Sequence, residues 1–191
     1  MNFMALPSVD LIPWYVLCIY WTISALRVKR TKVQEDPGAR LFHIAVMALA
    51  FFLLFSRRLE IGPLGLRFAP VSSWLRTLGT VLTFVGAGIA SWARYSLGQY
   101  WSARVTLKID HQLVRSGPYA WVRHPLYSGL LLAMAGTALV VGEWRGVVGV
   151  VVALAEFSRK AAKEEALLAG EFGEQYQEYR RQAGFLTPHF R

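Results

Sequence analysis

"GPYAWVRHPLYSGLLLAMAGTALVV", residues 117–141, joins two characters that do not belong to one element. The first half carries Arg123, His124, two prolines and two tyrosines, whereas residues 126–141 hold no charge at all. Proline lacks an amide donor and restrains its predecessor, so Pro118 and Pro125 stop a helix from running through the first half. The uncharged half suits a helix in hydrocarbon whose length is completed by the flanking turn. Backbone groups freed by the turn need partners near a membrane surface, and either the loop itself or the polar part of a ligand can supply them. The alternative for "RHP" is a helix-start turn with an interfacial Arg and His. For Tyr119, Trp121 and Tyr127 it is an aromatic belt.

Working outward, four further apolar segments appear at 6–26, 41–56, 71–93 and 146–157. The expectation is an all-α, polytopic membrane helix bundle with about five transmembrane helices and a cytoplasmic C-terminal helix. It forms one domain over 1–191, with N-terminal spans in 1–93 and a cofactor-binding catalytic region in 94–191. The last two segments form a helical hairpin or, alternatively, a re-entrant pair. Arg76 near the end of its segment can snorkel to the interface. "GAG" at 86–88 offers a small-residue face for close helix packing. No basic residue precedes the first segment and "RVKRTK" follows it, which fits a retained span rather than a cleaved leader. After Phe157, "SRKAAKEEALLAGEFGEQYQEYRRQAG" reads as a cytoplasmic helix broken near Gly170 or Gly173.

Composition agrees. Hydrophobic residues make up 54% and charged residues 17%, against about 25% charged in soluble domains. The net charge of +9 asks for an anionic partner. Its basic residues punctuate long apolar runs, so the partner is the lipid bilayer and not nucleic acid. One cysteine, Cys18, excludes an internal disulfide. With five spans, the loops 27–40, 94–125 and 158–191 hold 16 of the 21 Lys and Arg residues, which places the N-terminus outside and the C-terminus in the cytoplasm of a cell membrane.

The familiar catalytic patterns are missing: no HExxH, no GxSxG, no phosphate loop and no metal-ligand spacing among the four histidines. Two polar features remain, "HQLVRSGPYAWVRHPLY" at 111–127 and "KAAKEE" at 160–165. Glu164 and Glu165 project about 100° apart on a helix, so they cannot clamp one group together. Lys160 lies one turn before Glu164 on the same face, as a surface salt bridge or as part of a site.

"LGQYWS", "HQLVRSGPYAWVRHPLYSG" and "EEALLAGEFGEQYQEY" together resemble the isoprenylcysteine carboxyl methyltransferase family of integral membrane enzymes, over residues 94–188. The resemblance implies S-adenosylmethionine as methyl donor, with S-adenosylhomocysteine as product. The cofactor sits on the cytoplasmic side and a lipophilic or prenylated acceptor enters from the bilayer. It maps the cofactor pocket onto His111, Gln112, Leu113, Val114, Tyr119, His124, Pro125, Leu126 and Tyr127. Glu164 meets the cofactor's ammonium, and Glu165 stands beside it. Lys160, with Arg159 adjacent, takes the place of the arginine that holds the acceptor carboxylate in the eukaryotic enzymes; Arg123 joins them as a candidate catalytic cation. Other readings are a phospholipid or other lipid N- or O-methyltransferase, a nicotinamide-dependent sterol-type reductase, and a non-enzymatic membrane scaffold. A carboxylate acceptor is already ionised and needs no base; an amine or hydroxyl would, with His124 or Tyr127 as candidates.

Overall fold

The computed structural model describes residues 8–26, 31–33, 36–56, 62–101, 107–108 and 112–189. Each apolar run forms a helix: α1 Ser8–Ala25, α2 Pro37–Phe55, α3 Ser73–Leu97, α4 Pro125–Val141 and α5 Trp144–Phe172, followed by the short α6 Glu174–Gln182. The chain pairs its loops at two opposite ends. Strands β1 (Thr31–Val33) and β2 (Leu107–Lys108) join the α1–α2 connection to the α3–α4 connection as a small antiparallel ribbon. At the other end, Phe68 donates its N–H to the Gly142 carbonyl at 3.0 Å and Trp144 donates to the Leu66 carbonyl at 3.0 Å. Five helices of alternating direction follow from that pairing.

The tightest contact is between α3 and α4, and glycine makes it possible. A Cβ on Gly86 would lie 2.5 Å from the Gly129 carbonyl oxygen, and one on Gly136 would lie 2.5 Å from that of Gly79. Both pairs are seven residues apart on antiparallel helices, so the two backbones touch over two turns. Of "GAG", Gly86 faces this contact and Ala87 is buried, while Gly88 looks into open space. Trp14 of α1 fastens to the same seam, its indole N–H donating to Thr137 Oγ1 at 3.1 Å.

α2 packs on α5. The buried Arg145 donates to the Leu53 carbonyl at 3.0 Å, satisfying an end group of α2 that has no helical partner. Gly149 lets α5 approach Ala50, whose carbonyl oxygen is 2.9 Å from where a Cβ would sit.

Two expectations need correction. The fifth apolar run does not end at Phe157 with a separate helix after it. α5 continues unbroken for 29 residues, because nothing between Phe157 and Ala169 interrupts the ladder and most residues there are strong helix formers. The break falls at Gly173, whose φ of 52° is in the left-handed region that glycine tolerates, and not at Gly170. Among the described helices, Pro37–Phe55 alone is long and apolar enough to cross a membrane by length and composition; Val9–Ala25 and Pro125–Val141 are apolar but shorter. One of the five expected spans therefore stands on that ground. Apolar side chains such as Tyr15, Ile19, Leu41, Phe52 and Val151 nevertheless project outward from α1, α2 and α5.

Candidate active site

The turn before α4 is built by its prolines and one glycine. Gly117 adopts a φ of 61° and leads into a single 3-10 turn over Gly117–Ala120. Pro125 then occupies the first turn of α4, where its missing amide hydrogen has no partner to lose. His124 precedes it, buried, and so is delivered to the inner side of the turn facing α5.

There the imidazole lies between the two glutamates. Its Nδ1 is 3.7 Å from Glu164 Oε2 and its Nε2 is 3.2 Å from Glu165 Oε1. The two carboxylates project differently, as the helical geometry requires, yet one ring bridges them. Glu164 also accepts the Tyr127 hydroxyl at 2.7 Å and is 23% exposed. Glu165 is held by Arg123 Nε at 2.7 Å, with Arg180 Nε 3.6 Å from its other oxygen. Burial alone would raise the Glu165 carboxyl, but hydrogen bonds from His124 and Arg123 outweigh it and hold the group at about 2.

The residues after α6 strap this turn in place. Arg123 and His124 donate their backbone N–H groups to the carbonyls of Gly184 (2.7 Å) and Phe185 (3.2 Å), and Phe185 packs edge-on to the His124 ring at 5.2 Å. The Arg123 guanidinium donates to the Ala183 and Arg180 carbonyls as well as to Glu165. Arg123 thus ties the C-terminal strap to the turn. Tyr179 adds a bond from its hydroxyl to the Tyr119 carbonyl at 2.8 Å.

The residues expected to hold a cofactor fall into two groups. Tyr119, His124, Pro125, Leu126 and Tyr127 are all buried, and His124 and Tyr127 reach the glutamates of α5. Gln112 and Leu113 instead line an open depression of about 550 Å³ with Arg115, Phe172, Gln175 and Glu178. Val114 packs against the main core. His111 lies outside the described residues.

Tyr127 links the polar cluster to an apolar slot. Its ring stacks on Phe157 at 4.8 Å. Phe157 lines a cavity of about 600 Å³ shared by α1, α2, α4 and α5, whose walls include Trp14, Trp21, Met47 and Phe51. Lys160, 4% exposed, places its ammonium 5.9 Å from the Tyr127 ring centroid. Arg159 points the other way, donating to both oxygens of Glu156 and lying over the Phe42 ring. Of the two cations considered for an acceptor, Lys160 is therefore the one beside the slot.

Comparison with known proteins shows what this stretch resembles. Residues 79–170 match the model of the isoprenylcysteine carboxyl methyltransferase family, a stretch that contains the turn, Lys160 and both glutamates. Over that stretch the chain is similar to that family. It is 32% identical to the Schizosaccharomyces pombe protein-S-isoprenylcysteine O-methyltransferase, over 61% of this chain and 57% of that protein. Against the human protein of the same name it is 33% identical over 57% of this chain and 39% of the relative. Bacillus subtilis YpbQ, an uncharacterised protein, is 30% identical over 56% of this chain and 60% of its own length. The chain thus spans about half the length of the curated relatives it matches. The fold resembles that of the eukaryotic intramembrane Ras methyltransferase, with a TM-score of 0.61, 19% identity, and coverage of 96% of this chain and 68% of that one.

Two residues of the slot's polar end escaped the sequence reading. His43 Nδ1 is 2.7 Å from Glu156 Oε1, and His43 Nε2 is 3.5 Å from Lys160 Nζ. Both lie inside apolar runs, and an ionisable residue at such a place is a functional candidate by default. That signal was present in the sequence. Their pairing across 113 positions was not.

Proposed function

We propose that the protein transfers a methyl group from S-adenosylmethionine to a membrane-embedded, lipid-like acceptor, the carboxylate of an isoprenylcysteine-type molecule. The observation that carries this reading is the junction at Tyr127. Its hydroxyl donates to Glu164, its ring stacks on a wall of the apolar slot, and the Lys160 ammonium stands over it. The similarity of residues 79–170 to the isoprenylcysteine carboxyl methyltransferase family supports the reaction class.

The donor set fits the cofactor. Glu164 offers a carboxylate to an ammonium or sulfonium, amid the aromatic rings of Tyr127, His124 and Phe185. When bound there, S-adenosylmethionine supplies the electrophilic methyl. Glu164, Tyr127 and His124 hold it, the strap of residues 183–186 covers His124 from solvent, and the slot receives the acceptor's hydrocarbon. Lys160 pairs with the acceptor carboxylate, as a point charge and not a bidentate fork. Alignment of this kind can supply ~7–11 kcal/mol, so an ionised acceptor needs no further machinery.

In this reading α1–α5 cross the cell membrane with the N-terminus outside and the site on the cytoplasmic side. The basic bias of the loops and the pairing of alternate connections at opposite ends support it.

The test is transfer of a labelled methyl group to a prenylcysteine analogue in nanodiscs. Wild type should turn it over and Lys160→Ala should raise KM or abolish turnover, with S-adenosylhomocysteine affinity nearly unchanged. Thermal stabilisation by NADPH but not by S-adenosylhomocysteine would sink the reading.

A further inference from the structure

Arg94 is the largest of the fully buried side chains among the described residues, 2% exposed, and it meets no carboxylate among them. Arg145, also buried, pairs with Glu143 at 2.6 Å, as a cation out of water normally must. The two ends of the Arg94 guanidinium cap helices instead. Nη1 donates to the Gly98 carbonyl at 2.9 Å, just past α3, and Nη2 to the Ser24 carbonyl at 2.7 Å, in the last turn of α1. The central carbon lies 4.3 Å over the Trp101 ring centroid. Capping and stacking leave out Nε–H, which is buried and has no partner among the described residues. A donor on a charged group is expensive to bury unsatisfied, so this edge of Arg94 points to an acceptor that a ligand supplies.

The place of that edge narrows the ligand. Arg94 lies in the last turn of α3, and α3 packs against the 117–120 turn that carries Tyr119. Burial, then Glu164 and Tyr179, push the Tyr119 hydroxyl well above its ordinary value, while Arg94 acts in the opposite sense. One buried phenol therefore feels a carboxylate of α5 and a guanidinium of α3. A simple anion would suit Arg94 and be repelled by Glu164. A molecule with an ammonium and a carboxylate on one carbon suits both. S-adenosylmethionine ends in such a group, and Glu164 provides for its ammonium only. The cations of the turn and α6 are already engaged, Arg123 and Arg180 with Glu165.

We infer that Arg94 binds the carboxylate of the cofactor through Nε–H, so that Arg94 of α3 and Glu164 of α5 hold the two charges of its amino acid end. This rests on the methyl-transfer reading above.

Calorimetric titration of the full chain in nanodiscs tests it, with S-adenosylhomocysteine and its decarboxylated analogue, the same thioether ending in a propylamine. Wild type should bind the first roughly 10- to 100-fold more tightly, the worth of a charged hydrogen bond. Arg94→Gln should bind the two alike, by losing affinity for S-adenosylhomocysteine and not for the analogue. Arg94→Lys should keep part of the preference, since it retains the charge without the planar fork. A second measurement does not need the neutral variant to fold. In protein carrying isotope-labelled arginine, the Arg94 Nε–H resonance, assigned through Arg94→Lys, should move with S-adenosylhomocysteine and stay in place with the analogue. Absence of a preference in wild type, an equal loss for both ligands in Arg94→Gln, or a resonance that responds alike to both would overturn the role of Arg94. Wild type that binds neither ligand would instead overturn the methyl-transfer reading.

Discussion

Glu164 and Glu165 flank one imidazole but are held by different partners. Glu164 meets Tyr127 and the side of the site that borders the slot; Glu165 is bound by Arg123 and His124 of the turn and Arg180 of α6. Glu164→Gln should therefore weaken cofactor binding by ~1.5–3 kcal/mol, the size of a charged hydrogen bond, in a calorimetric titration. Glu165→Gln should act chiefly on stability, and a larger affinity loss from Glu165 than from Glu164 would reverse these roles. The depressed carboxyl of Glu165 adds a pH signature. Its stabilising contribution is fully present above the ordinary value of 4.5 and is lost as pH falls towards about 2. The difference in melting temperature between wild type and Glu165→Gln should shrink over that window. A difference that stays constant there would mean that ionised Glu165 does not stabilise the fold.

At the scale of elements, the α3–α4 seam fixes where the turn and its histidine can stand. A side chain on Gly86 meets the backbone of α4 at Gly129 and Ala133, which cannot yield as a flexible side chain would. Gly86→Val should cost about 1–3 kcal/mol or more as overpacking, measured by thermal unfolding in detergent. Gly88→Val should be nearly neutral, because nothing lies within 4 Å of its added Cβ. Equal effects would mean that the two helices separate easily. The continuous α5 matters for the same reason: one rigid helix carries Glu156, Lys160 and Glu164, so the slot's polar end and the cluster around His124 hold a fixed spacing.

For the whole molecule, loop pairing and charge point to one orientation. The β1–β2 ribbon joins connections that share the basic bias, while the loops meeting at Gly142 lie at the other end. A reporter fused to the C-terminus should be protected from external labelling in intact cells and become accessible on permeabilisation. Labelling without permeabilisation would invert the assignment. Alternation of five helices also puts the strap of residues 183–186 at the end where α4 begins, the one place where it can close over His124.

Hydropathy and proline placement alone determined the helices and the broken turn at 117–124, because those signals are local and repeat with the helix period. The length of α5 was misjudged because a change from apolar to polar composition marks a change of solvent and not a break in the backbone. Only the tertiary structure decided which residues meet. His43 and Glu156 each read as isolated polar residues in apolar runs, and Arg123 as a candidate catalytic cation. α2 packing on α5 made the first two a pair, and the strap returning from α6 tied itself to Arg123. The physical reason is that a helix face becomes a site only through what packs against it, and that partner lies a hundred or more residues away for His43 and about sixty for Arg123.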